Sequence, residues 1–166
     1  CEYLGVEKVI WVKDGIDPDE TNGHIDGVAT YVAPGEVACI WTDDESHPYY
    51  QVARDAYETL SNAVDAKGRK LKIHKLCMGA NPIALDEEAA ATIDMVETAK
   101  ERTTDYEVMG SYLNFLIVNG GVIVPQYDDP NDALAIEQIQ AMFPDREIVG
   151  VNTTQILYGG GNIHCI

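Results

Sequence analysis

Apolar residues come in short runs along this chain, set apart by glycine, proline and asparagine. Two of the runs, VATYVA at 28–33 and EVACIW at 36–41, are rich in β-branched and aromatic residues. Pro34-Gly35 separates them, and the pattern predicts a β-hairpin. The period then changes. From Tyr49 to Val64, the residues Val52, Ala53, Ala56, Leu60, Ala63 and Val64 recur at helical spacing, with Pro48 where a first turn would begin. Gly68 ends that pattern, and LKIHKL at 71–76 predicts a further strand.

The same order recurs. SYLNFLIV at 111–118, Asn119-Gly120-Gly121, VIVP at 122–125, a helix from Asp129-Pro130 to Phe143, and EIVGV at 147–151 read as a second strand, strand, helix, strand unit. Gly35 aligns with Gly120, Val37 with Val122, and Thr42-Asp43-Asp44 with Tyr127-Asp128-Asp129, all at an offset of 85 residues. Matching register and matching element order together predict an internal repeat. Between the units, residues 77–108 read as an irregular connection, within which Asp86 to Arg102 is helical by composition.

The two ends carry partial patterns. VEKVIWV at 6–12 reads as the last strand of an earlier unit, and NIHCI at 162–166 as the first strand of a later one. The expected division is therefore 1–21 as the end of one module and 22–76 as a complete module. The connection at 77–108 follows, then a second complete module at 109–152 and the start of another at 153–166. Read this way, the 166 residues are a fragment of a larger repeat protein of α/β class.

Composition narrows the function. With 46% hydrophobic residues the chain can bury one sizeable core or part of a larger one. A net charge of -17 would repel nucleic acid phosphates and favours, weakly, a small cationic ligand. No run of about 18 apolar residues is present, and no basic start precedes an apolar stretch, so neither a membrane span nor a secretory signal is read. Cys1, Cys39, Cys77 and Cys165 match no closely spaced pair of metal or disulfide ligands, which suits free thiols in a reducing, cytoplasmic compartment.

Candidate chemistry lies where the units begin. One unit opens with Asn22-Gly23-His24-Ile25-Asp26, and the terminal one with Gly161-Asn162-Ile163-His164-Cys165. Alternation along a strand would put His24 and Asp26 on one face. A cysteine and a histidine from different units can make a nucleophile and its acid/base partner, because the thiolate is the reactive form and imidazole titrates near neutrality. Other readings stand beside this one. An isolated cysteine in an apolar strand is more often a small buried hydrophobe, and His164 reads as a core hydrogen-bonding residue. His47 and His74 read as structural, and Tyr112, Phe115 and Tyr127 as packing. Cys165, His164 and His24 would also suit a soft metal.

The stretches LGVEKVIWV, DETNGHIDG, SYLNFLIVNGGVIVPQYDD, FPDREIVGVN and GGGNIHCI resemble, in order, the motifs of the agmatine deiminase family within the guanidine-modifying superfamily. This chain resembles the C-terminal half of that family. The resemblance implies a pseudo-fivefold α/β propeller of strand-strand-helix-strand modules. It implies that Cys165 is the nucleophile attacking the guanidinium carbon, that His24 is the general acid/base, and that Asp26 binds the guanidinium nitrogens through paired charge-assisted hydrogen bonds. Gly159, Gly160 and Gly161 would shape the loop that delivers Cys165. The implied reaction passes through a thiouronium on sulfur and converts agmatine to N-carbamoylputrescine and ammonia, with no metal or organic cofactor. A homo-oligomer of the complete protein is expected. The family's further carboxylates and substrate-contacting aromatic are absent from this chain, so the fragment alone is expected to be inactive. The alternatives are a related deiminase acting on free or peptidyl arginine, and a non-catalytic propeller fragment.

Overall fold

The computed structural model describes residues 2–16, 23–92 and 103–166. Two three-stranded sheets form its frame. In the first, β1 (Ala29–Ala33) and β2 (Glu36–Trp41) pair antiparallel, and helix α1 (Tyr50–Asn62) crosses back to β3 (Lys72–Cys77), which runs parallel to β2. A connecting region follows with a small ladder, β4 (Ile83–Ala84) on β5 (Glu107–Val108), and helix α2 (Glu87–Thr92) between them. The second frame repeats the first. β6 (Leu116–Val118) and β7 (Gly121–Gln126) pair antiparallel, helix α3 (Asp132–Met142) crosses over, and β8 (Glu147–Asn152) pairs parallel with β7. A short helix, α4 (Thr154–Leu157), leads to the end of the chain.

The reasons for these elements are local and tertiary together. Both hairpins turn on two residues, and the second is Gly35 with φ of +84° or Gly120 with φ of +80°, a backbone state that a Cβ would strain. The middle strands are the most buried: Val37, Ala38, Cys39 and Ile40 on β2, and Val122 and Val124 on β7. Central position explains this, because a strand with neighbours on both sides is covered on its faces by helix and loop. Helix α1 sets Ala53, Ala56 and Leu60 on its sheet, and α3 sets Ala135 and Ile139. The frames are joined where α3 begins. Asn131 Nδ2 donates to the Met78 carbonyl at 2.8 Å, and the Ala80 N–H donates to Asp129 Oδ2 at 2.8 Å.

Four sequence expectations need correction. Residues 6–12 form no strand, and Val6, Val9 and Trp11 are exposed, because among the described residues no neighbouring strand takes up their backbone hydrogen bonds. Residues 162–166 contain a 3-10 turn, Ile163–Cys165, in place of a strand. Ile25–Gly27 is likewise a 3-10 turn, so His24 and Asp26 are not placed by strand alternation. The turn is closed by Gly27 N–H on the His24 carbonyl and Val28 N–H on the Ile25 carbonyl. Within 111–118 only Leu116–Val118 is strand. The Ser111 hydroxyl accepts from Leu113 N–H and the Ser111 carbonyl accepts from Asn114 N–H, local bonds that compete with a ladder. Of the helix read over Asp86 to Arg102, residues 87–92 are helical, with Asp86 Oδ1 accepting from Ala89 N–H, and 93–102 lie outside the described residues, as do Cys1 and Asn22.

Candidate active site

The segments that lead into β1 and β6 meet the end of the chain at one small cavity. His24, Asp26, Asn114, Tyr127, Gly161 and Cys165 are among the residues that line it. Three side chains converge on a single carboxylate oxygen. Asp26 Oδ2 accepts from Asn114 Nδ2 at 2.9 Å, sits 3.0 Å from His164 Nδ1, and accepts from the Cys165 thiol at 3.3 Å. Asp26 and Cys165 are 139 residues apart in sequence, so only the fold brings them together.

Each partner is held from below. The Cys165 turn is fixed by Asn162, which is 2% exposed: its Oδ1 accepts from Ile163 N–H at 2.8 Å and its Nδ2 donates to Tyr127 Oη at 3.1 Å. Tyr127 in turn donates to the Ser111 carbonyl at 3.2 Å. Ser111 Oγ donates to the Gly27 carbonyl at 2.9 Å, tying the second lead-in segment to the first. A second tie on the Cys165 turn is the His164 N–H, which donates to Asn114 Oδ1 at 2.9 Å. Every one of these bonds is buried or partly buried, where leaving a donor unpaired costs about 1–3 kcal/mol.

The electrostatics follow from this packing. Burial works against ionisation of Asp26, but hydrogen bonds from His164 and Cys165, the charge of His164, and the bond from Asn114 outweigh it. The carboxyl is held below its ordinary range. Cys39 and Cys77 are the opposite case, as burial pushes each thiol up to about 12 and leaves them protonated and unreactive. Cys165, by contrast, is exposed.

The sequence-derived candidates divide accordingly. Asp26 and Cys165 are in contact, and His24 lines the same cavity from the residue before the 3-10 turn. Gly160 and Gly161 line the cavity, whereas Gly159 is not among its lining residues. A Cβ on Gly161 would stand 3.0 Å from the Cys165 Cβ and 3.2 Å from its sulfur, so a larger residue would push the thiol from its place. His164, read from sequence as a core residue, has a half-exposed ring resting on Asp26. His47 is structural, with Nε2 on the Gly79 carbonyl and Nδ1 accepting from Tyr49 N–H, and His74 pairs with Glu36. Tyr112 and Phe115 are core residues, while Tyr127 is both core and anchor of the Cys165 turn. Asn114 and Asn162 escaped the sequence reading; their only signal was membership of SYLNFL and GGGNIHC. Among the described residues no group of three or more His, Cys, Asp or Glu is arranged to hold a metal.

A thiol, a carboxylate and imidazoles gathered at the mouth of an α/β frame define a class of site suited to nucleophilic attack on a small cationic group. The chain belongs to the Porphyromonas-type peptidyl-arginine deiminase family, which matches residues 1–166. It is 62% identical over 99% of its length to a Streptococcus mutans protein provisionally named agmatine deiminase. The Pseudomonas fluorescens agmatine deiminase is 47% identical over 99% of the chain. The solved structure of the Enterococcus faecalis agmatine deiminase superposes with a TM-score of 0.92 at 56% identity, covering 99% of this chain and 44% of that one. The chain spans 44% and 45% of the two curated relatives, less than half of their length.

Proposed function

We propose that the complete protein hydrolyses agmatine to N-carbamoylputrescine and ammonia, using Cys165 as nucleophile. The observation that carries this reading is the 3.3 Å contact between Cys165 Sγ and Asp26 Oδ2 in a cavity that His24 also lines. In the proposed reaction Asp26 accepts hydrogen bonds from the planar guanidinium, a match of charge and shape that pairs N–H donors with carboxylate oxygens. The Cys165 thiolate adds to the guanidinium carbon. The C–N bond to one terminal nitrogen then breaks as His24 delivers a proton to it, releasing ammonia and leaving a thiouronium on sulfur. A water molecule, deprotonated by His24, adds to the same carbon, the C–S bond breaks, and the ureido product leaves with the thiolate restored. Gly160 and Gly161 give the substrate carbon access to the sulfur, and Gly159 begins that loop. The scheme calls for no metal or organic cofactor.

Relatives sharing 47% to 62% of residues carry the agmatine deiminase name, which favours agmatine as the substrate. The family description favours a second reading, in which arginine within a peptide is the substrate of the same chemistry. The twofold occurrence of one strand-strand-helix-strand frame supports closure of the complete protein into a pseudo-fivefold propeller, with further modules completing the substrate pocket. Among the described residues no helix is long and apolar enough to cross a membrane. The free thiols of Cys39, Cys77 and Cys165 suit a cytoplasmic protein, and we take the complete protein to be a homo-oligomer.

The test is ammonia release by the complete protein from agmatine, free arginine and a blocked arginine peptide, beside its Cys165→Ala variant. Turnover of agmatine alone, lost by at least about 10³-fold in the variant with the fold retained, is the expected result. Undiminished turnover by Cys165→Ala would overturn the assignment of the nucleophile. Turnover of the peptide in preference to agmatine would select the second reading.

A further inference from the structure

We propose that Asn114 belongs to the reaction centre, holding Asp26 and the Cys165 turn in register and donating a hydrogen bond to the sulfur when it is ionised. The inference rests on the reading of Cys165 as nucleophile. Asn114 is 6% exposed, and its carboxamide touches three different parts of the site. Nδ2 donates to Asp26 Oδ2 at 2.9 Å and lies 3.5 Å from Cys165 Sγ. Oδ1 accepts from the His164 N–H at 2.9 Å and lies 3.7 Å from the same sulfur.

The orientation of this amide is forced. An ionised carboxylate can only accept and a backbone N–H can only donate, so the reversed amide would set oxygen against oxygen and N–H against N–H. Nδ2 therefore faces Asp26, and its two protons have two acceptors, the carboxylate and the sulfur. Among the described residues Asp26 Oδ1 has no hydrogen-bond partner, while Oδ2 holds Asn114, His164 and Cys165. Asn114 thus fixes the carboxylate through Oδ2.

Ionisation of the thiol makes this arrangement consequential. The protonated thiol donates to Asp26, but a thiolate 3.3 Å from a carboxylate is repelled by it. The Asn114 amide is the neutral donor to both anions, with one N–H for each. Without that donor less of the sulfur is ionised at a given pH, and the thiolate is the reactive form. The titratable groups around the sulfur are Asp26, His24, His164 and Tyr127, and none of the four is altered by substitution at Asn114.

The experiment compares the complete protein with its Asn114→Ala, Asn114→Leu and Cys165→Ala variants. Asn114→Leu roughly preserves volume, removes the donor and adds no charge, so it keeps the test valid where the alanine variant fails to fold. The first readout is the pH dependence of iodoacetamide labelling of Cys165, taken as the label absent from Cys165→Ala. The labelling midpoint is expected to rise by about one pH unit in Asn114→Ala and in Asn114→Leu alike. The second is turnover of agmatine, with kcat expected to fall by about 10²-fold through fewer thiolates and a displaced sulfur, and KM to change much less. An unshifted labelling midpoint in a folded variant would overturn the role of Asn114. Because labelling needs only the thiol, it judges Asn114 even where Cys165→Ala retains turnover and the reading of the nucleophile fails.

Discussion

The two strand-strand-helix-strand units share a frame and differ in what precedes it. Their parallel ladders run in the same register, from Glu36 on Lys72 to Trp41 on Cys77 in one, and from Gly121 on Glu147 to Gln126 on Asn152 in the other. Even the entry to the last strand repeats: Lys72 N–H donates to the Gly35 carbonyl at 2.9 Å, and Glu147 N–H to the Gly120 carbonyl at 3.0 Å. These bonds are backbone bonds, so the frame tolerates EVACIW at one position and GVIVPQ at the other. The lead-in segments are a different matter. The first supplies His24 and Asp26, and the second supplies Ser111 and Asn114, which hold the first in place by side-chain bonds. The candidate site residues in these segments thus lie outside the shared frame.

If the frames are equivalent, their cores should fail alike. Leu60 on α1 and Ile139 on α3 are both buried against their own sheets, and truncating either to alanine removes the same mass of buried hydrocarbon. Each variant of the complete protein is expected to lose about 2–5 kcal/mol in denaturant unfolding. A loss below about 1 kcal/mol at one position alone would show that one frame takes little part in the cooperative core.

This comparison also explains what the sequence disclosed. The hairpins, α1 and the parallel return strands were legible because Pro34-Gly35, Asn119-Gly120 and the spacing of Val52, Ala53, Ala56 and Leu60 act within a few residues of one another. Residues 6–12 and 162–166 show the limit of that signal. Apolar runs of this length read as strands, yet a strand exists only where a neighbour accepts its ladder, and a periodicity does not say whether one is at hand. The site was less legible still. Asp26 and Cys165 stand out because each lies where a unit opens, and the resemblance of GHID and GGGNIHC gives them roles; no spacing between the two residues points to their contact. Asn114 and Asn162 act through side-chain bonds to residues distant in sequence, which leave no period behind. His164 was read as a core residue because its neighbours are apolar, whereas a tight turn swings its ring out onto Asp26.

A sharper contrast lies where each middle strand gives way to its helix. In the second unit Asp132 accepts from Tyr112 Oη at 2.7 Å and from Tyr127 N–H at 3.2 Å, so it fastens the lead-in segment and the residue that anchors Asn162. In the first unit, among the described residues, the Asp44 carboxylate bonds within its own turn, through Ser46 N–H and Ser46 Oγ. Asp132→Ala is therefore expected to cost about 1–3 kcal/mol by leaving partly buried donors unpaired, and to lower turnover by loosening the Cys165 turn. Asp44→Ala should leave both the unfolding midpoint and turnover near those of the parent. Equal effects at the two positions would mean that the loops, like the strands, are interchangeable.

The smallest expected effect gives the finest test of equivalence. Gly35 and Gly120 occupy the same turn position with φ of +84° and +80°. A Cβ at Gly35 would meet the Arg69 guanidinium carbon at 3.7 Å, an ordinary contact, and a Cβ at Gly120 would meet nothing within 4 Å. Neither change introduces a clash, so the cost of alanine is backbone strain alone, about 1 kcal/mol for an L-residue in the left-handed region. The two variants should match within a few tenths of a kcal/mol in unfolding, with no change in turnover. A markedly larger loss at Gly35 would trace to Arg69, whose Nε and backbone N–H are both held by Asp65 and which lies within reach of the new Cβ, whereas Arg146 of the second unit bonds the Val118 carbonyl and stays clear of a Cβ on Gly120; the frames would then be alike in register but not in how their hairpins are braced.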